Sequence, residues 1–124
     1  IHCRKTEELL RGAGWPEDWI RSVLSHAWGM MTDVEPVHIM EKVLYAIDEL
    51  TGLITATALM RPSKSLMDLG VSSVVKKWKM KGFSVGVNRE VIDKGAAMLG
   101  LERKSLIEKT IAGMRRVAGA LDLG

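Results

Sequence analysis

Three histidines and one centrally placed acid are the residues of this chain whose types could do chemistry. The histidines are His2, His26 and His38, and the acid is Asp48, which stands in the apolar stretch 37–62. Imidazole and carboxylate together form a ligand set that divalent metals such as Zn, Mn, Fe or Mg use in proteins. The composition therefore permits a metal site, although no short metal-binding motif, such as two histidines one helical turn apart, occurs in the sequence.

Spacing decides which of these residues could share one ion. His38 and Asp48 fall on the same predicted helix and are ten positions apart. At about 100° and about 1.5 Å per residue, they are separated by roughly 80° of rotation and about 15 Å of axis, too far for one metal. His38 lies in the first helical turn, where a structural or solvent-facing role is the ordinary interpretation. His26 lies near the end of the preceding helix and suits either a ligand or a structural role.

Asp48 stands in the middle of a predicted buried helix. The stretch 37–62, VHIMEKVLYAIDELTGLITATALMRP, is apolar on nearly every helical face. A helix of this kind is normally packed on several sides. A charged carboxylate in such surroundings must be paired, hydrogen-bonded or metal-bound, because bare burial costs several kcal/mol. Asp48 is therefore the first candidate for function.

Helical periodicity and capping residues predict an all-α chain of about six helices. A first helix over 4–11 ends at Gly12, and Pro16 opens a second helix with an apolar stripe that includes Trp19. Asn88 is a good N-cap for a helix over 89–99. The remaining predicted helices cover the central stretch, about 72–81, and 102 to about 120, and no segment shows the alternation of a strand. The chain is expected to form a single helical domain over 1–124.

Length and composition are those of an ordinary globular domain. The 124 residues are enough to bury a core without disulfides, and a single cysteine, Cys3, excludes an internal disulfide framework and fits a reducing cytosol. The central apolar stretch is interrupted by charged and polar residues and falls short of the run of about 20 apolar residues that spans a membrane. We therefore expect a cytoplasmic protein with no membrane partner.

The basic residues indicate at most a phosphorylated ligand. The net charge is +3, and four lysines cluster around Trp78, namely Lys76, Lys77, Lys79 and Lys81. The ordinary interpretation is a solvated helix face whose apolar stripe packs on the core. Binding of nucleic acid would require a steep salt dependence through these lysines, and a nucleic-acid partner is not predicted.

Three segments carry motifs that can be compared with known proteins: YAIDELTGLITATALMRPSK (45–64), SVVKKWKMKGFSVGVNRE (73–90) and GWPEDWIRSVLSHAWG (14–29). They resemble a bacterial and archaeal group of small HD-domain proteins, the HDIG-type metal-dependent phosphohydrolases, and the last is similar to the segment of that group in which a histidine follows an amphipathic helix. The likeness covers essentially the whole chain. It implies an HD-domain-like helical bundle.

The resemblance also implies a metal site. In this group an all-α bundle holds one or two divalent ions through a histidine, an adjacent His-Asp pair, two further histidines and a final aspartate. By motif, Asp48 is the final aspartate, His26 the later of the two further histidines and His2 the earlier. Cys3 follows His2 where the group usually has glycine. The ion, Mn, Fe, Mg or Zn, would activate a water and polarise a phosphoryl oxygen.

The implied substrate is a phosphorylated small molecule, either a phosphate ester or a nucleotide. Arg61, Lys64 and Arg89 are candidates for holding its phosphate.

The sequence departs from the group, because it contains neither the adjacent His-Asp pair nor the first histidine. We therefore expect the chain to be the C-terminal part of an HD-type domain, truncated at its N-terminus and inactive by itself. The missing helices should leave apolar surface to be covered by that segment or by self-association. The alternative is a non-catalytic helical module that binds a phosphorylated ligand or a protein partner.

Overall fold

Six α-helices make up the computed structural model, which describes residues 2–80, 82–83 and 86–124, with His2 described in its backbone alone. The helices are α1 (His2–Gly12), α2 (Glu17–Ser25), α3 (Ile39–Leu59), α4 (Val71–Trp78), α5 (Arg89–Met98) and α6 (Arg103–Arg116). The described residues contain no strand. The predicted all-α class with about six helices is thus confirmed. No helix within these residues is long and apolar enough to cross a membrane.

Helix α3 is the element on which the others pack. It contacts α2, α4, α5 and α6. The main core lies along its buried side, where Leu50, Leu53 and Ile54 have no exposed surface. Ile92 of α5 and Ile107 of α6 pack into the same cluster. A smaller apolar cluster joins α1 to α2 and consists of Cys3, Ile20, Leu24 and Ala27.

Helices α3 and α5 approach each other closely at Gly95. A Cβ atom built on Gly95 would lie 2.5 Å from the Cα and 2.6 Å from the Cβ of Ala46. Two helix backbones reach such a separation only where both contact residues are small. The pair Gly95 and Ala46 therefore sets the distance between the two helices.

Capping side chains satisfy backbone N–H groups at the beginnings of two helices. Asn88 caps α5, and its Oδ1 accepts a hydrogen bond from the backbone N–H of Val91 at 3.2 Å, as predicted. His38 caps α3, and its Nδ1 accepts from the backbone N–H of Met40 at 3.2 Å. His38 is thus occupied in a structural role, which agrees with the interpretation from its position.

We expect Asn88→Ala to lower the free energy of unfolding by about 1 kcal/mol, because the first turn of α5 loses the acceptor for one N–H group. Asn88→Ser keeps a capping oxygen and should lose a few tenths of that amount at most. Urea unfolding at neutral pH measures both changes. Equal stability of the alanine and serine variants would show that the cap contributes nothing.

Candidate functional site

His26 lies directly after α2, as its C-terminal capping residue. Its ring Nδ1 pairs with the backbone carbonyl oxygen of Val23. Because a carbonyl oxygen only accepts, Nδ1 must carry the hydrogen. In the neutral ring the lone pair then resides on Nε2, which is the arrangement commonly found in metal-bound histidines.

Asp48 lies on the exposed side of α3, and the expectation that this helix buries it is wrong. Helix α3 is apolar on nearly all faces but is packed on only some of them. Val43 and Leu44 are 38% and 39% exposed, and Leu59 is 50% exposed. A solvated carboxylate needs no partner to remain charged. Burial therefore does not mark Asp48 as a functional residue, and any such role depends on the side chains around it.

His26 and Asp48 line the same surface depression. It has a volume of about 300 Å³, and its remaining walls are Val23, Leu44, Ile47 and Thr51. The imidazole comes from the end of α2, and the carboxylate comes from the middle of α3. The fold thus places on one depression an imidazole and a carboxylate that lie 22 positions apart in the sequence.

His26 and Asp48 have the ligand types that suit a divalent cation, but two ligands are too few to form a complete metal site. No group of three or more His, Cys, Asp or Glu side chains that could hold a metal ion occurs among the described residues. Protein zinc sites use three or four protein ligands, so His26 and Asp48 could supply only part of the set. The side chain of His2 lies outside the described residues, and its role as a ligand stays a prediction.

The three predicted phosphate ligands do not line this depression. Arg61 lies beyond the end of α3, at least about 16 Å along the helix axis from Asp48. It donates to the hydroxyl of Ser73 at 3.0 Å and forms an ion pair with Asp68 at 3.4 Å. Lys64 is exposed in the loop that follows. Arg61 therefore holds this loop, and its contact with phosphate stays a prediction.

Arg89 has a comparable structural role at another place. Its guanidinium donates to the backbone carbonyl oxygens of Trp78 at 2.9 Å and Phe83 at 2.7 Å. These bonds tie the end of α4 and the following turn to the beginning of α5. They stabilise carbonyl groups that a helix end leaves without partners. A phosphate contact through Arg89 likewise stays a prediction.

The lysines of α4 lie on a solvated face. Lys76 and Lys79 are exposed, whereas Val74 and Trp78 are buried in the core. This is the arrangement that the ordinary interpretation of the cluster predicted. Lys81 lies outside the described residues.

The buried acid of α3 stands in its first turn. Glu41 is only 3% exposed. Its carboxylate accepts hydrogen bonds from four residues: Arg21 at 2.8 and 2.9 Å, Ser22 at 2.7 Å, and the backbone N–H groups of Val37 at 2.9 Å and His38 at 3.0 Å. Burial by itself raises the pKa of Glu41, but these hydrogen bonds outweigh burial and lower the pKa to about 2. The carboxylate therefore acts as a clamp between α2 and α3, and its oxygens are engaged within the fold and not in binding a ligand.

Sequence reasoning missed this clamp, although one signal for it was present. Glu41 stands three positions after the N-cap residue His38, which is the spacing of a capping box. The clamp matters for the candidate site because Arg21 and Ser22 belong to α2, the helix that ends at His26. It joins α2 to α3, and thereby helps to keep His26 and Asp48 on the same depression.

A second cleft adjoins the depression. It also has a volume of about 300 Å³ and is lined by Trp15, Trp19, Ser22, Val23, Met40 and Leu44. Val23 and Leu44 line both spaces, so the two are neighbours on the surface. Trp15 and Trp19 are 42% and 59% exposed, so Trp19 belongs to the apolar stripe of α2 but is not buried in the core.

The candidate site is thus a pair of metal-ligating side chains in a shallow depression, with an aromatic cleft beside it. In the comparisons with known proteins, no family model, curated protein or solved structure matches this chain. The case for a function consequently depends on this geometry and on the motifs quoted above.

Proposed function

We propose that this helical domain is part of an HD-type metal-dependent phosphohydrolase and contributes His26 and Asp48 to its divalent-metal site. One observation carries the proposal: these two side chains line one depression. They are also the two residues, with His2, that the motif resemblance assigns as ligands. The pairing of His26 Nδ1 with the Val23 carbonyl oxygen supports the assignment, because it leaves Nε2 as the nitrogen with metal-binding character.

A divalent ion bound there would supply a Lewis acid that polarises a phosphoryl oxygen and lowers the pKa of a bound water. The residues of this chain do the positioning. Val23 orients the His26 ring, Asp48 provides negative charge for a cation, and Glu41 keeps the two helices in register. The adjacent His-Asp pair that the resemblance also implies does not occur in these 124 residues, so a complete site would take those two ligands from other polypeptide. The substrate would be a phosphate ester or a nucleotide.

We expect this chain alone to bind Mn²⁺ weakly, because two ligands hold a divalent ion poorly. His26→Ala and Asp48→Asn should each weaken that binding by about tenfold or more, a loss at least as large as that found for groups that merely support a metal ligand. Titration followed by the electron paramagnetic resonance signal of free Mn²⁺ measures the affinities. Asp33→Asn is the matched control, since Asp33 is an exposed aspartate outside the depression.

The outcome that contradicts the proposal is Mn²⁺ binding that neither variant changes. A tightly held, stoichiometric ion in the purified chain would show instead that weak binding was the wrong expectation. In a longer polypeptide that includes a His-Asp pair, phosphate release should require added metal and should disappear in Asp48→Asn.

A second candidate function is a non-catalytic module for a protein partner. The observation that favours it is the apolar surface around the start of α3, where Val37, Ile39 and Met40 are 65%, 63% and 51% exposed. Exposed apolar patches of this kind commonly mark protein contacts. Such a module would still bind its partner in the His26→Ala and Asp48→Asn variants. A longer polypeptide that includes a His-Asp pair would then not release phosphate.

A further inference from the structure

We infer that a groove between α3 and α6 binds a medium-chain fatty acid, with the alkyl chain in the groove and the carboxylate at Lys109. Two rows of side chains, spaced one helical turn apart within each row, line this α3–α6 groove: Val43, Ile47 and Thr51 of α3, and Leu106, Thr110 and Met114 of α6. Neither His26 nor Asp48 lines the groove, so the inference does not depend on the proposed function.

The dimensions of the α3–α6 groove suit one alkyl chain. Its rows run from Val43 to Thr51 and from Leu106 to Met114, a length of about 12 Å, which is the extended length of roughly ten carbon atoms. Its volume of about 320 Å³ lies at the lower end of the range for ligand pockets. A docked helix is about 10–12 Å across with its side chains and would need a larger space. The groove therefore suits a small molecule and not a helical partner.

The floor of the α3–α6 groove favours an apolar chain. Its two hydroxyls already donate within their own helices, Thr51 to the carbonyl oxygen of Asp48 at 3.1 Å and Thr110 to that of Leu106 at 2.7 Å. A polar group placed there would lose hydrogen bonds to water without equivalent replacement, which costs free energy. An alkyl chain loses no such bonds and removes apolar surface from water.

Lys109 supplies the one charge of the α3–α6 groove. Among the described residues that line it, Lys109 is the only charged one. Its side chain is exposed, and none of the ion pairs found within the described part of the chain includes it. A single ammonium group beside an apolar groove attracts a negative charge. The ligand should therefore carry an anionic group at one end of an apolar chain, as a fatty acid does.

Gly113 keeps the α3–α6 groove open beside this lysine. It lines the groove one helical turn after Lys109, so the two residues are neighbours on the surface of α6. Glycine within a helix is destabilising relative to alanine. At Gly95 a close neighbour requires it, but a Cβ built on Gly113 would meet nothing within 4 Å. Packing within the chain thus does not explain Gly113, whereas an alkyl chain beside it would use the open space.

The first test varies the length of the chain and blocks the groove. Isothermal titration calorimetry with hexanoate, octanoate and decanoate, below the concentrations at which they form micelles, should show affinity rising about two- to fourfold for each CH₂ group. Gly113→Leu should weaken decanoate binding by about tenfold or more, because leucine takes the place of several CH₂ groups. Ala112→Leu is the matched control, since Ala112 is an exposed residue of α6 outside the groove. Thermal unfolding checks that both variants are folded.

The second test reverses the charge. Decanoate should bind to the parent chain more tightly than decyltrimethylammonium, which has the same chain length and a positive charge. Lys109→Glu should weaken decanoate binding about two- to fivefold, the range for an exposed ion pair, and reverse this order. Lys104→Glu makes the same change of net charge on α6 outside the groove and should leave the order as it is.

The inference is supported if decanoate binding follows these variants and persists in His26→Ala and Asp48→Asn, whatever happens to Mn²⁺ binding. It is overturned if affinity does not rise with chain length, if Gly113→Leu binds decanoate as tightly as the parent chain, or if Lys109→Glu and Lys104→Glu behave alike. Binding that appears only with micelles would also overturn it. So would a parent chain that binds no decanoate and changes its oligomeric state in Gly113→Leu, since the groove would then be a contact between copies.

Discussion

Replacement of Glu41 by alanine is expected to lower the free energy of unfolding by about 3 kcal/mol or more, the largest effect of any substitution proposed for this chain. The reason is that Arg21, Ser22 and two backbone N–H groups at the start of α3 lose a common acceptor in a partly buried place. Arg21 is 41% exposed and can turn to solvent, so the cost arises mainly from the remaining donors. Urea unfolding at neutral pH measures the change.

A matched control distinguishes the clamp from the general effect of an acid near a helix N-terminus. Glu90 stands in the first turn of α5 and is exposed. Glu90→Ala should cost less than about 1 kcal/mol, the contribution of a charge to the helix dipole. A loss for Glu41→Ala no larger than that for Glu90→Ala would contradict the structural role.

The same carboxylate predicts how stability depends on pH. The pKa of Glu41 is lowered from 4.5 to about 2 in the folded chain. A lowered pKa stabilises the fold at pH values above the unfolded pKa, and this contribution is lost as the pH falls from about 5 to about 2. The depression corresponds to roughly 3 kcal/mol. Glu41→Gln has no such titration, so the stability difference between the parent chain and this variant should shrink steadily over that range.

Replacement of Gly95 by alanine is expected to cost about 2–3 kcal/mol, although alanine is the better helix former by about 1 kcal/mol. The added Cβ would lie 2.5 Å from the Cα of Ala46, and a backbone atom at the centre of a helix cannot move aside as a side chain can. Helices α3 and α5 must separate, which opens the core on both sides. Thermal and urea unfolding measure the loss.

Gly52 supplies the control for this substitution. It lies in α3, and a Cβ built on it meets nothing within 4 Å. Gly52→Ala should stabilise the chain by about 0.5–1 kcal/mol through helix propensity alone. If both alanine variants were stabilised alike, the close approach of α3 and α5 at Gly95 would be disproved.

The predictions made from local patterns and those made from burial differ in their outcome. The six helices and the cap at Asn88 were predictable because a helix end depends on residues within one turn of each other. The solvated face of α4 was predictable for the same reason, since its lysines and its buried Val74 and Trp78 alternate with the helical period. These features need no knowledge of the neighbouring helices.

Burial within α3 was not predictable in this way. The helix is apolar on almost every face, and its periodicity therefore does not indicate which face meets the core. The structure exposes Asp48 and buries Glu41, the reverse of what an acid in the middle of an apolar segment suggested. Glu41 tolerates burial because α2 supplies Arg21 and Ser22 as hydrogen-bond donors. The residues that neighbour Glu41 in the sequence do not indicate these partners.

The sequence by itself determined how many helices this protein has and roughly where they lie, and which side chains have metal-ligating chemistry, because both depend on residue type and near neighbours. Only the tertiary structure decided that His26 and Asp48 line one depression and that Trp15 and Trp19 line a neighbouring cleft. The physical reason is that these arrangements depend on how α2 lies on α3, which involves hydrogen bonds, those of the buried Glu41 carboxylate among them, between residues about 20 positions apart in the sequence.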